Sequence, residues 1–274
     1  TPVFVSLEDP LTTVEGFVLL EDGTPVEGAS ITIHPGNASG TTNSVGRYSI
    51  RGVPTKLGNL TIFADKEVGT ERLTGTATNV IPIPAGMTDA GLIRISASVY
   101  WDEDASGFWD VATNWSTDQV PGPDDRVIID RPLGNFMITI RNGTNSVRSL
   151  RCEEALTLTR GTLTSLAPLV VNNVSFLLQG GTIANTTILP GLGVFGLTAT
   201  SGTLSAVTLE APLTVNNNGF VTVTNGLTLN NIATINSTGS TTRMDFAGTQ
   251  ALLGLGEVVM NGSGATLRGT SGFL

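Results

Sequence analysis

Residues 136–274 contain a short repeat, and that repeat constrains the fold more than any other feature. Five segments share one wording, apolar–Thr–apolar followed by a turn and a glycine: Ile138–Thr144, Leu156–Thr162, Phe176–Thr182, Leu197–Thr203 and Val221–Leu227. Their glycines, Gly143, Gly161, Gly181, Gly202 and Gly226, are spaced by 18, 20, 21 and 24 residues. A period near 20 with several short strands per repeat specifies a solenoid, whose units cannot bury an apolar face alone and must stack. The pattern predicts a parallel β-helix in which Ile138, Leu156, Phe176, Leu197 and Val221 form one inward column. Ile140, Leu158, Leu178, Ala199 and Val223 form a second, and Thr139, Thr157, Leu177, Thr198 and Thr222 an outer row. Asn172-Asn173, Asn216-Asn217-Asn218 and Asn230-Asn231 are expected at bends, because Asn tolerates left-handed backbone. After Gly226 the register loosens, with Met244–Gly248 and Val258–Gly262 continuing it. Right-handed crossovers predominate between parallel strands, so a right-handed helix is expected.

Composition agrees with an all-β chain. The 274 residues include 33 Gly and 13 Pro, only 14% are charged, and no window carries a helical apolar stripe. Residues 1–130 hold 18 acids and 7 bases, a net of −11; residues 131–274 hold 5 acids and 7 bases, a net of +2. Neither half has the basic patch that binding a phosphate backbone requires, which excludes nucleic acid as an expected partner. Cys152 is the lone cysteine, so no internal disulfide can form, and it reads as a small apolar core residue. No apolar run is long enough for a membrane-spanning helix. The sequence opens at Thr1 without a signal peptide and closes on Gly269–Leu274 without a capping pattern, so it reads as a mature or excised part of a longer chain.

Residues 1–97 read as a separate β-sandwich. Ile31 and Ile33 share one face of a strand and Ser30, Thr32 and His34 the other; Leu60, Ile62 and Ala64, then Ile93 and Ile95 around Arg94, repeat the alternation. Asp22-Gly23 signals a hairpin. About seven strands fit between Thr13 and Ser96, the count of an immunoglobulin-like sandwich. The wording Gly16-Phe17-Val18, then Asp22-Gly23-Thr24-Pro25-Val26-Glu27-Gly28-Ala29, then Thr42, then Gly46-Arg47-Tyr48-Ser49-Ile50, resembles the carboxypeptidase regulatory-like family over residues 12–97. Val45 departs from that pattern, which usually has Asp before the glycine. The resemblance implies an accessory or spacer β-sandwich with no catalytic role. His34, the sole histidine, has no partner His or Cys nearby and is expected to face solvent before a Pro35-Gly36 turn.

Between these halves, residues 98–135 hold all three tryptophans and a cluster of acids. Three indoles within 15 positions are too much apolar area to leave in water. An open β-helix end exposes both core and strand edges, so Trp101, Trp109 and Trp115 are expected to cap the first coil. Asp102, Asp104, Ser106 and Asp110 occupy positions 1, 3, 5 and 9 of an EF-hand-like loop with Gly107 at position 6, a candidate calcium site. Thr113 stands where the bidentate acid belongs, and no helices flank the loop. The string from Trp101 through Asn114-Trp115-Ser116 to Pro121-Gly122-Pro123-Asp124-Asp125-Arg126-Val127-Ile128-Ile129 resembles the signature that precedes parallel β-helix repeats in large bacterial surface and adhesin-type proteins.

The expectation is therefore a non-catalytic structural or adhesive segment of a secreted bacterial cell-surface protein, with no cofactor other than the candidate Ca2+. Its expected partners are other surface subunits or extracellular carbohydrate. The alternative is a polysaccharide-binding protein, lyase or hydrolase, since β-helices host such enzymes. Those need convergent carboxylates, and the repeat half offers only Glu153, Glu154, Glu210, Asp245 and Glu257. Glu153 and Glu154 are adjacent and point oppositely in a strand, while Glu210 and Asp245 are expected several coils apart. A third reading, an ice-binding solenoid, rests on Thr157-x-Thr159, Thr198-x-Thr200 and Thr222-x-Thr224, interrupted at Leu177 and Arg141. Eight Asn-x-Ser/Thr sequons carry no weight in so Asn- and Thr-rich a chain.

Overall fold

A computed structural model describes residues 9–131, 134–191 and 195–270. The chain divides into two compact units, residues 1–98 and 99–274. Among the described residues there is no α-helix, only a 3₁₀ turn at Ala112–Asn114.

The first unit has seven strands: β1 (Thr12–Leu20), β2 (Ser30–His34), β3 (Ala38–Thr41), β4 (Arg47–Val53), β5 (Leu60–Val68), β6 (Glu71–Val80) and β7 (Met87–Ala97). Their order is β3-β2-β5-β6-β7-β1-β4. β7 joins two layers: most of its length pairs in parallel with β1, and its end pairs antiparallel with β6 at Leu73–Ala97 and Thr74–Ser96. The alternating positions read from sequence supply the core, with Ile31, Ile33, Leu60, Ile62, Ala64, Ile93 and Ile95 all buried. The Asp22-Gly23 turn closes a tight hairpin: Gly23 N–H donates to Leu20 O (3.0 Å), Leu20 N–H to Thr24 O (2.9 Å), and Leu19 bridges Pro25.

The family-like wording has local physical causes. Gly16 lies opposite Tyr48 across the β1–β4 pair, and a Cβ on Gly16 would come within 2.5 Å of the Tyr48 hydroxyl oxygen and 2.8 Å of Gly91 O. The buried ring of Tyr48 therefore requires a glycine beneath it. Thr42 Oγ1 donates to Val26 O (2.6 Å) and accepts from Ala29 N–H (2.9 Å), fastening the loop that carries Val26-Glu27-Gly28-Ala29. At the departure from the pattern, Asn43 Oδ1 accepts the N–H groups of Val45 and Arg47 (3.1 and 3.0 Å) and closes the turn. His34 is not solvent-facing. It is 3% exposed, stands edge-on to the Phe63 ring at 5.4 Å, and pairs with Thr61 of β5. The expected outer face of β2 is covered there because β2 lies between β3 and β5, and Phe63 on β5 lies over it.

The second unit is a β-solenoid of about seven turns with three faces. Each turn lays one strand on each face, and successive turns pair in parallel at the inter-strand distance of about 4.8 Å. The first face stacks Val99–Tyr100, Arg126–Ile129, Ser149–Cys152 and Leu169–Val171, and continues through Ile188, Leu209 and Leu229. The second stacks Ile138, Leu156, Phe176 and Leu197 as expected, and then Leu213, Ala233 and Val258. The third stacks Leu163, Ile183, Leu204, Val223 and Phe246. The long strands Phe176–Leu189 and Leu197–Leu209 each run through all three faces.

Two features differ from the repeat reading. Val221 and Val223 belong to the third face, where Thr222 pairs with Thr203, so the fifth segment is out of column. The second face continues instead through Leu213–Val215, then Ile232–Asn236, then Glu257–Asn261. Turn-to-turn pairing also starts before residue 136, because Val99–Tyr100 pairs with Arg126–Ile129 and Gly107–Phe108 with Met137–Ile140.

Candidate functional site

The aromatic stretch forms the first turn of the solenoid. Trp101, Trp109 and Trp115 are at most 1% exposed and share one apolar cluster with Ile129, Ile138 and Ile140. Their rings meet edge to face, Trp101 with Trp115 at 5.2 Å and Trp109 with Trp115 at 4.7 Å, the arrangement aromatic quadrupoles favour. Trp115 Nε1 donates to Trp109 O (2.8 Å) and Trp101 Nε1 to Ala105 O (3.3 Å), whereas Trp109 Nε1 is buried without a partner. Gly107 is forced by this packing, since a Cβ there would lie 3.0 Å from the Trp101 ring.

The outer edge of this turn is closed by the chain itself. Ser116 N–H donates to Tyr100 O (2.9 Å), Ser116 Oγ accepts from Tyr100 N–H (3.1 Å), and Asp102 N–H donates to Asn114 O (2.8 Å). Trp101 and Trp115 form the accompanying antiparallel bridge. Around Phe108, its carbonyl accepts from Val111 N–H (3.2 Å) and Asn114 Nδ2 (3.1 Å).

The candidate calcium ligands do not converge. Asp104 pairs with Arg131 at 2.7 Å, with Asp102 at 3.7 Å from the same guanidinium. Ser106 Oγ accepts from Met137 N–H (2.9 Å), and Asp110 binds Arg141 and Asn142. Among the described residues no cluster of three or more His, Cys, Asp or Glu has metal-holding geometry. Partial desolvation of Asp110 is outweighed by hydrogen bonds from Arg141 and Asn142, which hold its carboxyl below the usual range. Arg141 also lies 3.7 Å over the Phe108 ring, so one guanidinium ties the first turn to the second through charge and π-face together. Sequence reasoning did not single out Arg131 or Arg141, although each follows a strand-spaced run opposite the acidic stretch.

The remaining carboxylates of the solenoid act as staples between turns. Glu154, 3% exposed, accepts from Phe136 N–H (2.7 Å) and Arg131 N–H (3.2 Å). Glu153 accepts from Asn172 Nδ2 (2.8 Å), and Glu210 Oε1 from Asn230 Nδ2 (2.7 Å), so a bend asparagine of the next turn meets each carboxylate. Asp245 is gripped by Arg268 (2.7 Å) and Arg243 (2.8 Å), and those bonds pull its pKa down against partial burial. Glu210 and Asp245 are not several coils apart. They lie on neighbouring turns, but Glu210 follows a first-face strand and Asp245 stands on the third face, paired with Thr222. Burial raises the Cys152 thiol pKa, and its Sγ–H donates to Glu154 O (3.1 Å), which leaves an inert core sulfur. A shallow groove of about 570 Å³ beside Thr208, Thr228 and Gln250 has no carboxylate in its lining. The Gln250 amide is already bonded to Val223 O, Ala247 O and Gly226 N–H.

The threonine rows are real but differently arranged. On the second face the row pointing away from the core is Thr139, Thr157, Leu177, Thr198, Thr214 and Thr234, although Thr157 is itself buried. The third face carries a two-column array that the sequence reading missed: Thr144 and Ser146, Thr162 and Thr164, Thr182 and Ala184, Thr203 and Ser205, Thr222 and Thr224, in register over five turns. The signal that could have found its first four turns is the small residue two positions after each threonine that follows a repeat glycine; Thr222 follows Val221 instead.

No curated protein matches the chain. Among solved structures, a 9R-lipoxygenase from Cyanothece aligns at 14% identity over 39% of this chain, with a TM-score of 0.20. The chain spans 20% of that protein's length, and a likeness this slight carries no argument. The model of the carboxypeptidase regulatory-like domain matches residues 13–82, from the start of β1 to the turn after β6, and a β-solenoid of stacked parallel strands follows it.

Proposed function

We propose that this chain is a non-catalytic structural or adhesive segment of a secreted bacterial cell-surface protein, in which an accessory β-sandwich precedes in sequence a solenoid capped by its tryptophan turn. One observation carries the reading: the acidic side chains Asp110, Glu153, Glu154, Glu210 and Asp245 each bind an arginine, an asparagine or a backbone N–H belonging to a neighbouring turn. Carboxylates bonded this way stiffen a rod and do not form the facing acid and base that glycan cleavage needs. Adhesion in this reading uses the faces of the rod, with carbohydrate or other surface subunits as partners. No helix among the described residues is long and apolar enough to cross a membrane. Incubation with pectin, alginate and chondroitin should release no product, and unsaturated or reducing ends would overturn the reading in favour of a polysaccharide-active enzyme.

The third-face array supports a second reading. Its ten positions carry seven Thr, two Ser and one Ala, with no charge, at the regular repeat of a flat parallel sheet. Such a lattice of hydroxyls and methyls suits an ordered, repeating ligand, ice among them. Thermal hysteresis that is lost in Thr164→Lys and Thr203→Lys variants would establish it; no hysteresis would discard it.

A further inference from the structure

The uncharged array of the third face gives way to a charged cluster. The strand Phe220–Leu229 pairs with Thr242–Ala247, and that strand pairs with Ala265–Thr270. The register sets Phe220 beside Arg243 and Arg243 beside Thr266; one column over, Thr222 stands beside Asp245 and Asp245 beside Arg268. Val221, Val223 and Met244 are buried in the core, so the residues alternating with them face outward. Arg243 has a paired strand on each side, so its outward surface belongs to a face and not to an edge. Asp245 Oδ2 accepts from Arg243 Nε (2.8 Å), and its two oxygens accept from Arg268 Nε and Nη2 (2.7 and 2.8 Å). Two guanidiniums thus share one carboxylate. Asp245 is the sole acid among the described residues of the third-face strands, so the cluster carries an excess of one positive charge.

Arg243 is held from two directions, with Nε on Asp245 and the guanidinium carbon 5.0 Å from the Phe220 ring centroid. Its two terminal nitrogens make no hydrogen bond with the described residues, and the side chain is 32% exposed. A guanidinium fixed at Nε and over a ring, with its terminal pair free, is preorganised to take a second carboxylate end-on through two parallel N–H···O bonds. We propose that Arg243 anchors a glycan-binding site on the third face, which rests on the adhesive reading above and takes the carboxylate of a uronic acid in an extracellular polysaccharide. The excess positive charge favours a carboxylated sugar over a neutral one. The open part of the Phe220 ring, 37% exposed, offers an apolar surface to the C–H face of a sugar ring. Thr222 and Thr266, on neighbouring strands, offer hydroxyls to those of the sugar. A polymer suits the site better than a free acid, because the neutral hydroxyl rows at Thr203 and Ser205 and at Thr222 and Thr224 continue along the same face.

Fluorescence anisotropy of a labelled oligogalacturonate, titrated with the full chain at physiological salt beside its fully methyl-esterified counterpart, tests the site. The acid form should bind and the ester should not. Arg243→Gln should weaken binding about 5- to 30-fold, through loss of one charge-assisted bidentate contact. Arg243→Lys keeps the charge and a partner for Asp245, so the fold is retained, and it should weaken binding about 3- to 10-fold because an ammonium has no fork. Arg160→Gln removes the same charge from an exposed position several turns away, where salt screens it, and should change binding by less than about 2-fold. No binding of the acid form, equal binding of the ester, Arg243→Lys binding like wild type, or Arg160→Gln weakening binding as much as Arg243→Gln would each overturn the site. Mass spectrometry of the oligomer after titration separates the two readings. Shortened oligomers would overturn the non-catalytic reading, whereas intact oligomers that stay unbound would overturn the site alone.

Discussion

Trp115→Ala tests whether the first turn is a lid on the solenoid or an ornament at its end. Trp115 is 1% exposed and touches both other indoles, and its N–H caps Trp109 O. Burying an indole removes about 150–250 Å² from water, roughly 4–6 kcal/mol at 25 cal/mol/Å². Truncating a buried Trp costs about 3–5 kcal/mol in practice, and the lost hydrogen bond falls within that range. Against a total stability of about 5–15 kcal/mol, one substitution removes a large share. A further Trp109→Ala should cost less than its own value, because the two rings are in contact. The assay is guanidinium unfolding followed by two probes. All three tryptophans lie in the first turn and none in the sandwich, so indole fluorescence reports that turn alone, while far-UV circular dichroism reports every strand. A lid predicts that Trp115→Ala moves the solenoid's dichroism transition to lower denaturant together with the fluorescence transition. Movement of fluorescence alone would mean that the first turn frays without protecting what lies behind it, and the capping argument would fail.

Gly16→Ala should destabilise the sandwich by about 1–3 kcal/mol, since the new methyl meets the Tyr48 hydroxyl and Gly91 O; calorimetry should show the sandwich transition falling while indole fluorescence unfolds as before. Asp245→Asn should cost the solenoid about 1–2 kcal/mol at pH 7, a modest figure because Arg268 is 44% exposed. The folded carboxyl titrates below its unfolded value of about 3.9, so this stabilisation is complete above that pH and disappears as pH falls through the folded value. Acid unfolding of wild type and variant should therefore converge below pH 4, and a constant gap would refute the pairing. Calcium or EDTA should shift the melting temperature by less than about 1 °C, since Asp102 and Asp104 pair with Arg131, Ser106 with the Met137 N–H and Asp110 with Arg141.

Where alternation has one buried side, the sandwich was legible. Ile31, Ile33, Leu60, Ile62, Ala64, Ile93 and Ile95 are core because each strand turns one face inward. His34 was misplaced by the same rule, which assigns the second face to water and has no knowledge of Phe63 on a strand some 30 residues away. Tyr48 and Gly16 were recognisable as a pair only from family wording, since nothing local links a glycine to a ring 32 residues later. In the first turn the acids suggested a metal loop by spacing alone. The structure pairs Asp102, Asp104 and Asp110 with Arg131 and Arg141, which arrive from the next turn, and long-range partners of this kind leave no trace in a spacing pattern.

The repeat was legible as a repeat but not in its register, and the glycines show why. Thr144, Thr162, Thr182, Thr203 and Thr222 stack in one row of the third face, so the positions before them, Gly143, Gly161, Gly181, Gly202 and then Val221, stack as well. The turn before crowds three of these glycines: a Cβ on Gly161 would reach 2.4 Å from Asn142 O, one on Gly181 3.1 Å from a Leu158 side-chain carbon and one on Gly202 2.6 Å from a Leu178 side-chain carbon, whereas Gly143 has φ of 71° and open space around its Cβ position. At the next turn the column passes to Val221, which is fully buried. The turn between Leu197 and Leu213 is only 16 residues long, against 18 to 21 for the three before it, so the second-face strand arrives early as Leu213–Val215. Thr alternates with apolar residues on the second and third faces alike, as in Leu197-Thr198-Ala199 and Thr203-Leu204-Ser205, because each has a core side and an outer side. A period-2 pattern therefore fixes which way a side chain points and leaves open which face its strand occupies. Gly226 drew the fifth segment into the wrong column because it is a corner glycine, with φ of 92° and a Cβ position that meets nothing closer than Ala251 O at 3.8 Å. The Gly202 and Gly226 positions look identical in sequence and both have positive φ, 132° and 92°, yet Gly202 is also crowded by the turn before it while Gly226 stands at an open corner, so the shared wording does not show which of them lies in the stacked column.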